Sequence, residues 1–351
     1  MDPLLQVTRN GLYCPAGDFY VDPWLPVDRA VITHAHSDHA CPGSRAYLAA
    51  RPGEALLRAR VGEDAAIQAL DYGESVQLNG VRVSLHPAGH ILGSAQVRIE
   101  AQGEVWVVSG DYKPEPDPTC AAFEPIACDT FVTESTFGLP IYRWPPEAEV
   151  FVEIRNWWAA NRQAGKASVL FAYSLGKAQR VLAGIGACLD PADGPIYTHG
   201  AVEKFCRLYR EAGIALAPTM HAASAPSNTD WIRALILAPP SANGTRPLIG
   251  SRRFGPLSTG FVSGWMRIRG ARRRRSLDRG FVLSDHADWP GLMCAIRASG
   301  ASRVWVTHGY RTPMVQWLKQ QSLDAQAVET RFEGEQDETG AESGEPGEAE
   351  P

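Results

Sequence analysis

RAVITHAHSDHA, residues 29–40, decides how the chain reads. Arg29–Thr33 is a short β-branched run of the kind that forms a buried strand. Four side chains able to ligate a cation follow it within six residues: His34, His36, Asp38 and His39. Burying that many polar groups in one loop is costly unless a cation offsets their desolvation. A loop can fold them around two adjacent ions, His34 and His36 toward one, Asp38 and His39 toward the other. Mixed imidazole and carboxylate ligands suit Zn²⁺, and they also accommodate Mn²⁺ or Fe.

Working outward, further ligand-type residues follow other strand-like runs. Asp22 follows DFYV, His90 follows VSLHPAG and Asp111 follows VWVVSG. Glu134 follows DTFVT, His286 follows FVLSD and His308 follows RVWVT. Loops at strand ends are held rigidly by the sheet, which makes them places where such groups can converge. His86, inside a strand, reads as a core histidine. His199 reads as structural, and His221 as part of a solvated loop.

Strand signals cover Asp18–Val21, Arg29–Thr33, Val81–Leu85, Gln96–Glu100, Val105–Val108 and Thr130–Thr133, with AQGE (101–104) as a hairpin turn. Ala55–Leu70 reads as a helix. The texture changes after Gly138. An amphipathic helix over 146–165, a strand at 168–173, a helix from Lys177, a strand at 195–200, a helix over 201–213 and a strand over 231–238 form a parallel α/β series. The first texture returns with FVLS (281–284), a helix near 289–298 and RVWVT (303–307). The chain thus parses as one domain interrupted by another: 1–136 and 281–332 belong together, 137–280 is inserted, and 333–351 is a tail.

Of 351 residues, 44% are hydrophobic and 21% charged, enough to bury a core. No stretch approaches a membrane span, and Met1–Gly17 carries no signal-peptide pattern. Seven scattered cysteines without a Cys-x-x-Cys pair fit a reducing cytoplasm and not a disulfide framework. The net charge of -5 arises in the tail, where Glu333–Pro351 carries eight acidic side chains and no Lys or Arg. The remainder has 34 basic against 31 acidic side chains. The tail's composition is that of a disordered, solvating segment.

These residues together resemble the metallo-β-lactamase superfamily. His-x-His-x-Asp-His is similar to its signature, and Asp22, the His34–His39 cluster, His90 and Asp111 match its motifs in order. Glu134 in TESTFG, His286 in SDHAD and His308 in THGY resemble the extra motifs of the β-CASP branch, and FAYSLGKAQRVL (171–182) resembles a β-CASP helix start. Over about residues 5–330 the resemblance is to the bacterial ligase-associated DNA exonucleases, through GLYCPAG, VDPW, RWPP, SGWMRIRGARRRR and LSDHADWPG. It implies a metallo-β-lactamase αββα sandwich with an inserted β-CASP α/β domain. It also implies a metal-dependent DNA exonuclease that acts in repair beside a DNA ligase. His34, His36 and His90 would hold one divalent ion, Asp38, His39 and His308 a second, and Asp111 would bridge them. Asp22 would orient the cluster. His286, positioned by Glu134, would protonate the leaving oxygen, giving a 5′-phosphate product. His286 and His308 are both histidine, as in RNA-processing members, so an RNA nuclease is the alternative. A small-molecule hydrolase needs neither the insertion of about 140 residues nor an arginine-rich run.

That run, MRIRGARRRRSLDRG (266–280), holds seven arginines between positions 267 and 279. Guanidinium groups match phosphate geometry. Arg267, Arg269, Arg272, Arg273, Arg274 and Arg275 are therefore expected to contact a nucleic-acid backbone. Ser174 and Lys177, opening a helix after a strand, are expected either to cradle a phosphate or simply to cap that helix.

Overall fold

The computed structural model describes residues 3–190, 192–243, 254–268 and 277–330. The expected nucleic-acid contacts Arg269, Arg272, Arg273, Arg274 and Arg275, and the tail from 333, lie outside the described residues.

Two sheets face each other. The first runs in order β1 (Gln6–Thr8), β2 (Gly11–Cys14), β3 (Phe19–Val21), β4 (Arg29–Val31), β5 (Ala46–Ala50) and β6 (Ile67–Leu70). It is parallel from β3 onward. The second contains β7 (Ser75–Leu78), β8 (Val81–Pro87), β9 (Ala95–Ala101), β10 (Glu104–Val108), β11 (Thr130–Glu134), β18 (Arg303–Thr307) and β19 (Asp324–Ala327). Its order is β19-β18-β11-β10-β9-β8-β7, with an antiparallel half and a parallel half.

Side-chain alternation explains the layering. Trp106 and Val108 of β10 pack into the core between the sheets with Val21, Val31 and Leu48. Val107 points the other way, onto Leu292, Met293 and Ile296 of the helix Trp289–Ser299. On the far side of the first sheet, Ala30, Tyr47 and Ala49 are covered by Leu56 and Leu57 of the helix Glu54–Val61. The result is the αββα sandwich. The AQGE turn places Gln102 and Gly103 at φ 55° and 81°, the two left-handed residues of a tight hairpin turn.

A third sheet is built from β12 (Ala167–Phe171), β13 (Ile196–Thr198), β14 (Thr219–His221), β15 (Leu235–Ala238), β16 (Leu257–Val262) and β17 (Arg279–Phe281). Its order is β14-β13-β15-β12-β16-β17, every pair parallel. Leu170 packs on Ile154, Val181 and Leu182 of the helices Glu147–Gln163 and Lys177–Gly186, while Val169 and Phe171 face Trp231 and Met266. This α/β unit enters the chain between β11 and β18 of the sandwich.

Three local expectations change. Ala55–Leu70 is not one helix: the helix ends at Val61, Gly62 turns the chain at φ 120°, and Ile67–Leu70 pairs with β5. Arg58 fixes that turn by donating to the carbonyls of Glu63 and Ala65. In WIRALILA only Leu235–Ala238 is extended. Trp231–Arg233 forms a 3-10 turn capped by Asp230. FVLS leaves the sheet after Phe281, and a loop carries His286. No helix among the described residues is long and apolar enough to cross a membrane.

Candidate metal centre

Parallel strands deliver their carboxyl ends to one side, where loops meet. Asp22 follows β3 and His34–His39 follow β4. His90 follows β8, Asp111 follows β10, Glu134 ends β11, and His308 follows β18. Asp22 and His308 have φ of 45° and 51°. Non-glycine residues take that backbone only where surrounding structure holds them. Gly110 lets β10 approach the cluster, since a Cβ there would lie 2.6 Å from the Thr33 side chain.

Six buried imidazoles stand together, and in five of them one ring nitrogen has an orienting neighbour. Thr33 Oγ1 donates to Asp22 Oδ2 at 2.6 Å and lies 3.0 Å from His34 Nδ1, so it is placed to accept that proton. His39 Nδ1 lies 2.7 Å from Asp22 Oδ2. His36 Nε2 faces the Leu175 carbonyl at 3.2 Å, and His90 Nδ1 the Asp285 carbonyl at 2.9 Å. His286 Nδ1 lies 3.0 Å from Glu134 Oε2, while Glu134 Oε1 accepts from the Tyr112 amide at 2.9 Å. A carbonyl or carboxylate partner fixes the proton on the facing nitrogen and leaves a lone pair on the other.

Those lone pairs converge. His34 Nε2 lies 3.0 Å from His36 Nδ1, which lies 3.1 Å from His90 Nε2. Asp111 Oδ2 stands 3.5 Å from His34 Nε2 and 3.3 Å from His39 Nε2. Asp111 Oδ1 stands 3.8 Å from His308 Nδ1. His34, His36, His90 and Asp111 thus form one group able to hold a cation, and His39, Asp111 and His308 a second. Asp111 belongs to both. His39 Nε2 and Asp111 Oδ1 are buried without a hydrogen bond, an arrangement that a cation would satisfy.

The electrostatics agree. Burial, then the neighbouring His39 and His36, hold His34 well below the usual histidine range. Burial, then His286, does the same to His90. Both rings are therefore neutral, the form that ligates metals. At His39 burial opposes ionisation, but Asp111, Asp38 and Asp22 outweigh it and raise the imidazole well above its usual range. The second half of the site thus has an excess of negative charge.

Asp38 stands apart from both groups, with Oδ2 3.6 Å from His39 Nε2. Asp22 sits behind the cluster, in contact with Thr33 and His39. Ser174 is half-buried, and its carbonyl accepts from Gln179. Arg267 is exposed and donates to the Ile141 carbonyl at 3.4 Å. At Lys177 the structure removes the phosphate-cradle alternative and keeps the helix start. This lysine has no exposed side chain, and its ammonium is paired with Asp285, which places it inside the protein and away from any surface phosphate. His86 contacts Ser84 within the sandwich, and His199 caps the helix Gly200–Glu211 by accepting from the Ala201 amide.

Leu175, Asp285, Tyr112 and Trp144, whose indole N–H donates to the His286 carbonyl at 2.9 Å, escaped the sequence reading. Their contributions run largely through backbone atoms, which leave no residue-type signature. Asp285 alone offered a signal, as the charged neighbour of His286.

No protein-family model matches the sequence. The chain is 32% identical over 322 residues, 91% of its length, to a "Probable DNA ligase" of Opitutus terrae, of which it spans 30%. It is 31% identical over 119 residues, 33% of its length, to "Endoribonuclease ysh-1" of Neurospora crassa, of which it spans 14%. A solved structure of a protein of unknown function from Enterococcus faecalis shares the fold, with a TM-score of 0.53 at 10% identity over 86% of this chain and 79% of that one. The sandwich, opened between Glu134 and His286 to admit a parallel α/β sheet, has the architecture expected from the sequence's resemblance to the β-CASP branch of the metallo-β-lactamase superfamily, and the ligase-named and endoribonuclease-named relatives are consistent with it.

Proposed function

We propose that this protein is a metal-dependent phosphodiesterase, a DNA exonuclease that works in repair beside a DNA ligase. One observation carries the hydrolase reading. Three ring lone pairs meet at 3.0–3.1 Å beside a carboxylate shared with a second buried group, and His286 adjoins them at 4.6 Å between ring centroids from His90. Ring nitrogens at that separation share either a proton or a cation, and one cation satisfies all three lone pairs together with the carboxylate.

His34, His36, His90 and Asp111 would hold one divalent cation. His39, His308 and Asp111, with Asp38 at the rim, would hold the other. Zn²⁺ fits this imidazole-rich set, and Mn²⁺ would also be accommodated. When bound, such ions supply positive charge against the phosphodiester and bring a water's pKa toward neutrality. The chain's own residues do the rest. Asp22 and Thr33 keep His34 and His39 turned inward. Glu134, itself fixed by the Tyr112 amide, holds Nδ1–H of His286, so that the ring, once protonated on Nε2 as well, delivers that second proton to the departing 3′ oxygen. The product then carries a 5′-phosphate.

DNA as substrate is supported by the ligase-named relative that matches 91% of the chain. The same relative, three times longer than the aligned segment, supports a ligase as working partner. RNA processing is the second reading, favoured by the endoribonuclease relatives over about a third of the chain. Incubating end-labelled single-stranded DNA, matched RNA and closed circular DNA with Zn²⁺ or Mn²⁺ tests both. Loss of linear DNA alone, abolished by His34→Ala, is the expected result. Cleavage confined to RNA would transfer the same site to RNA processing, and no cleavage of any substrate would overturn the nuclease reading.

A further inference from the structure

Between the sandwich and the inserted sheet lies a set of ions, all buried except the half-buried Glu147. Lys177, at the start of its helix, pairs with Asp285, the residue before His286; their side chains are 0% and 3% exposed. One turn on, Arg180 pairs with Glu147 at 3.0 Å and approaches Asp117 at 3.4 Å, with a side chain 1% exposed. It also donates to the His90 carbonyl at 3.3 Å. Lys113, two residues beyond Asp111, completes the set through Glu147. The contact is too close for any side chain at Gly176. A Cβ there would lie 2.4 Å from Ile91 and 3.4 Å from Asp285 Oδ2.

Two of the ring N–H groups that orient the metal centre end on this same seam. The acceptor for His36 Nε2 is the carbonyl of Leu175, two residues before Lys177. The acceptor for His90 Nδ1 is the carbonyl of Asp285, whose carboxylate Lys177 grips. A fully buried ion pair adds little net stability compared with an apolar pair of the same shape, so its presence calls for another explanation. Coulombic attraction in a dry interior is strong enough to fix the backbone on both sides.

We infer that Lys177 and Asp285 form a clamp that positions His36 and His90 for metal, so that the inserted unit helps build the metal centre in addition to covering it. The inference rests on the metal centre proposed above. Lys177 is then a positioning residue, acting through the Leu175 and Asp285 carbonyls.

Zn²⁺ affinity, measured by competition with a chromophoric chelator, tests the clamp alongside melting temperature. The proteins compared are wild type, Lys177→Met and the double variant Lys177→Met/Asp285→Asn. Lys177→Met strands a buried carboxylate, so it should lower both affinity and melting temperature. The double variant removes that stranded charge and should melt near wild type. Its Zn²⁺ Kd should nonetheless remain weaker by about tenfold to a hundredfold, the range for losing an orienting partner of a ligand. A double variant with wild-type Kd would reduce the pair to charge balance and overturn the clamp alone. Wild type that takes up neither Zn²⁺ nor Mn²⁺ would overturn the metal centre itself, and the clamp with it.

Discussion

At the scale of single residues, Glu134 and Asp22 are both carboxylates touching histidines, and their predicted failures differ. Glu134 contacts His286 and the Tyr112 amide but neither His39 nor the converging lone pairs. Glu134→Gln should therefore lower kcat by about 10²–10⁴ while leaving bound metal unchanged. Asp22 holds His39 Nδ1 and the Thr33 hydroxyl that serves His34. Asp22→Ala should instead weaken metal affinity by about 10–100-fold. Metal analysis of both purified variants, set beside their rates, separates the two; equal metal loss in both would contradict the division of roles. Clustered histidines and acids at strand ends were legible in the sequence because residue type itself carries the chemistry. The Leu175 and Asp285 carbonyls were not, since every residue has one. Lys177 misled for a related reason: at a helix start it looks like a phosphate ligand, and only the fold shows a carboxylate from more than 100 positions away in contact with it.

At the scale of elements, periodicity located the strands of the sandwich core because buried β-branched residues alternate there. It failed at Ala55–Leu70, where the apolar spacing suits a helix but Gly62, at φ 120°, ends it. Element ends also bear on the site. Asp288 caps the helix Trp289–Ser299 by accepting from the Gly291 amide at 2.9 Å, and its other oxygen accepts from the Trp144 amide at 3.0 Å. It thus ties the loop bearing His286 to the segment before the inserted helices. Asp288→Ala should cost about 1 kcal/mol or somewhat more through the cap alone. A thermal melt should register the loss. An unchanged melt would mean that Gly291 and Trp144 find other acceptors.

Over the whole molecule, several ionisable groups lie where their charged forms are unwelcome. Burial pushes the Cys206 thiol up to about 11 from 9.0, and the Cys128 thiol up to about 12. Burial also raises Tyr112 and Tyr209. A raised folded pKa contributes stability that is complete below the unfolded value and is lost as pH rises toward the folded one. Stability should therefore hold to about pH 9 and fall steadily through pH 11, which melting curves across that range will follow. The same thiols should resist alkylation at pH 8, while the exposed Cys294 reacts. Labelling of Cys206 in the folded protein would contradict its burial.

Charge at this scale also bears on how the proposed nucleic-acid substrate would be held. Removing the acidic tail from the count leaves a small basic excess, and seven arginines lie within positions 267–279, in the chain just ahead of His286. Contacts of guanidinium to phosphate release counterions, so affinity falls with salt in proportion to the number of phosphates neutralised. For single strands the slope of log K against log salt changes by about 0.7 per contact. Replacing Arg272–Arg275 with serine should weaken binding to all sequences alike and flatten that slope by up to about 3, on the same factor. The four positions stand outside the clamp and the metal groups in sequence, so Zn²⁺ affinity should not change. A slope equal to that of wild type would mean that these arginines face solvent and that the phosphates are held elsewhere. A flattened slope with unchanged kcat at saturating substrate would assign the run to capture of the strand and leave the chemistry to the histidines.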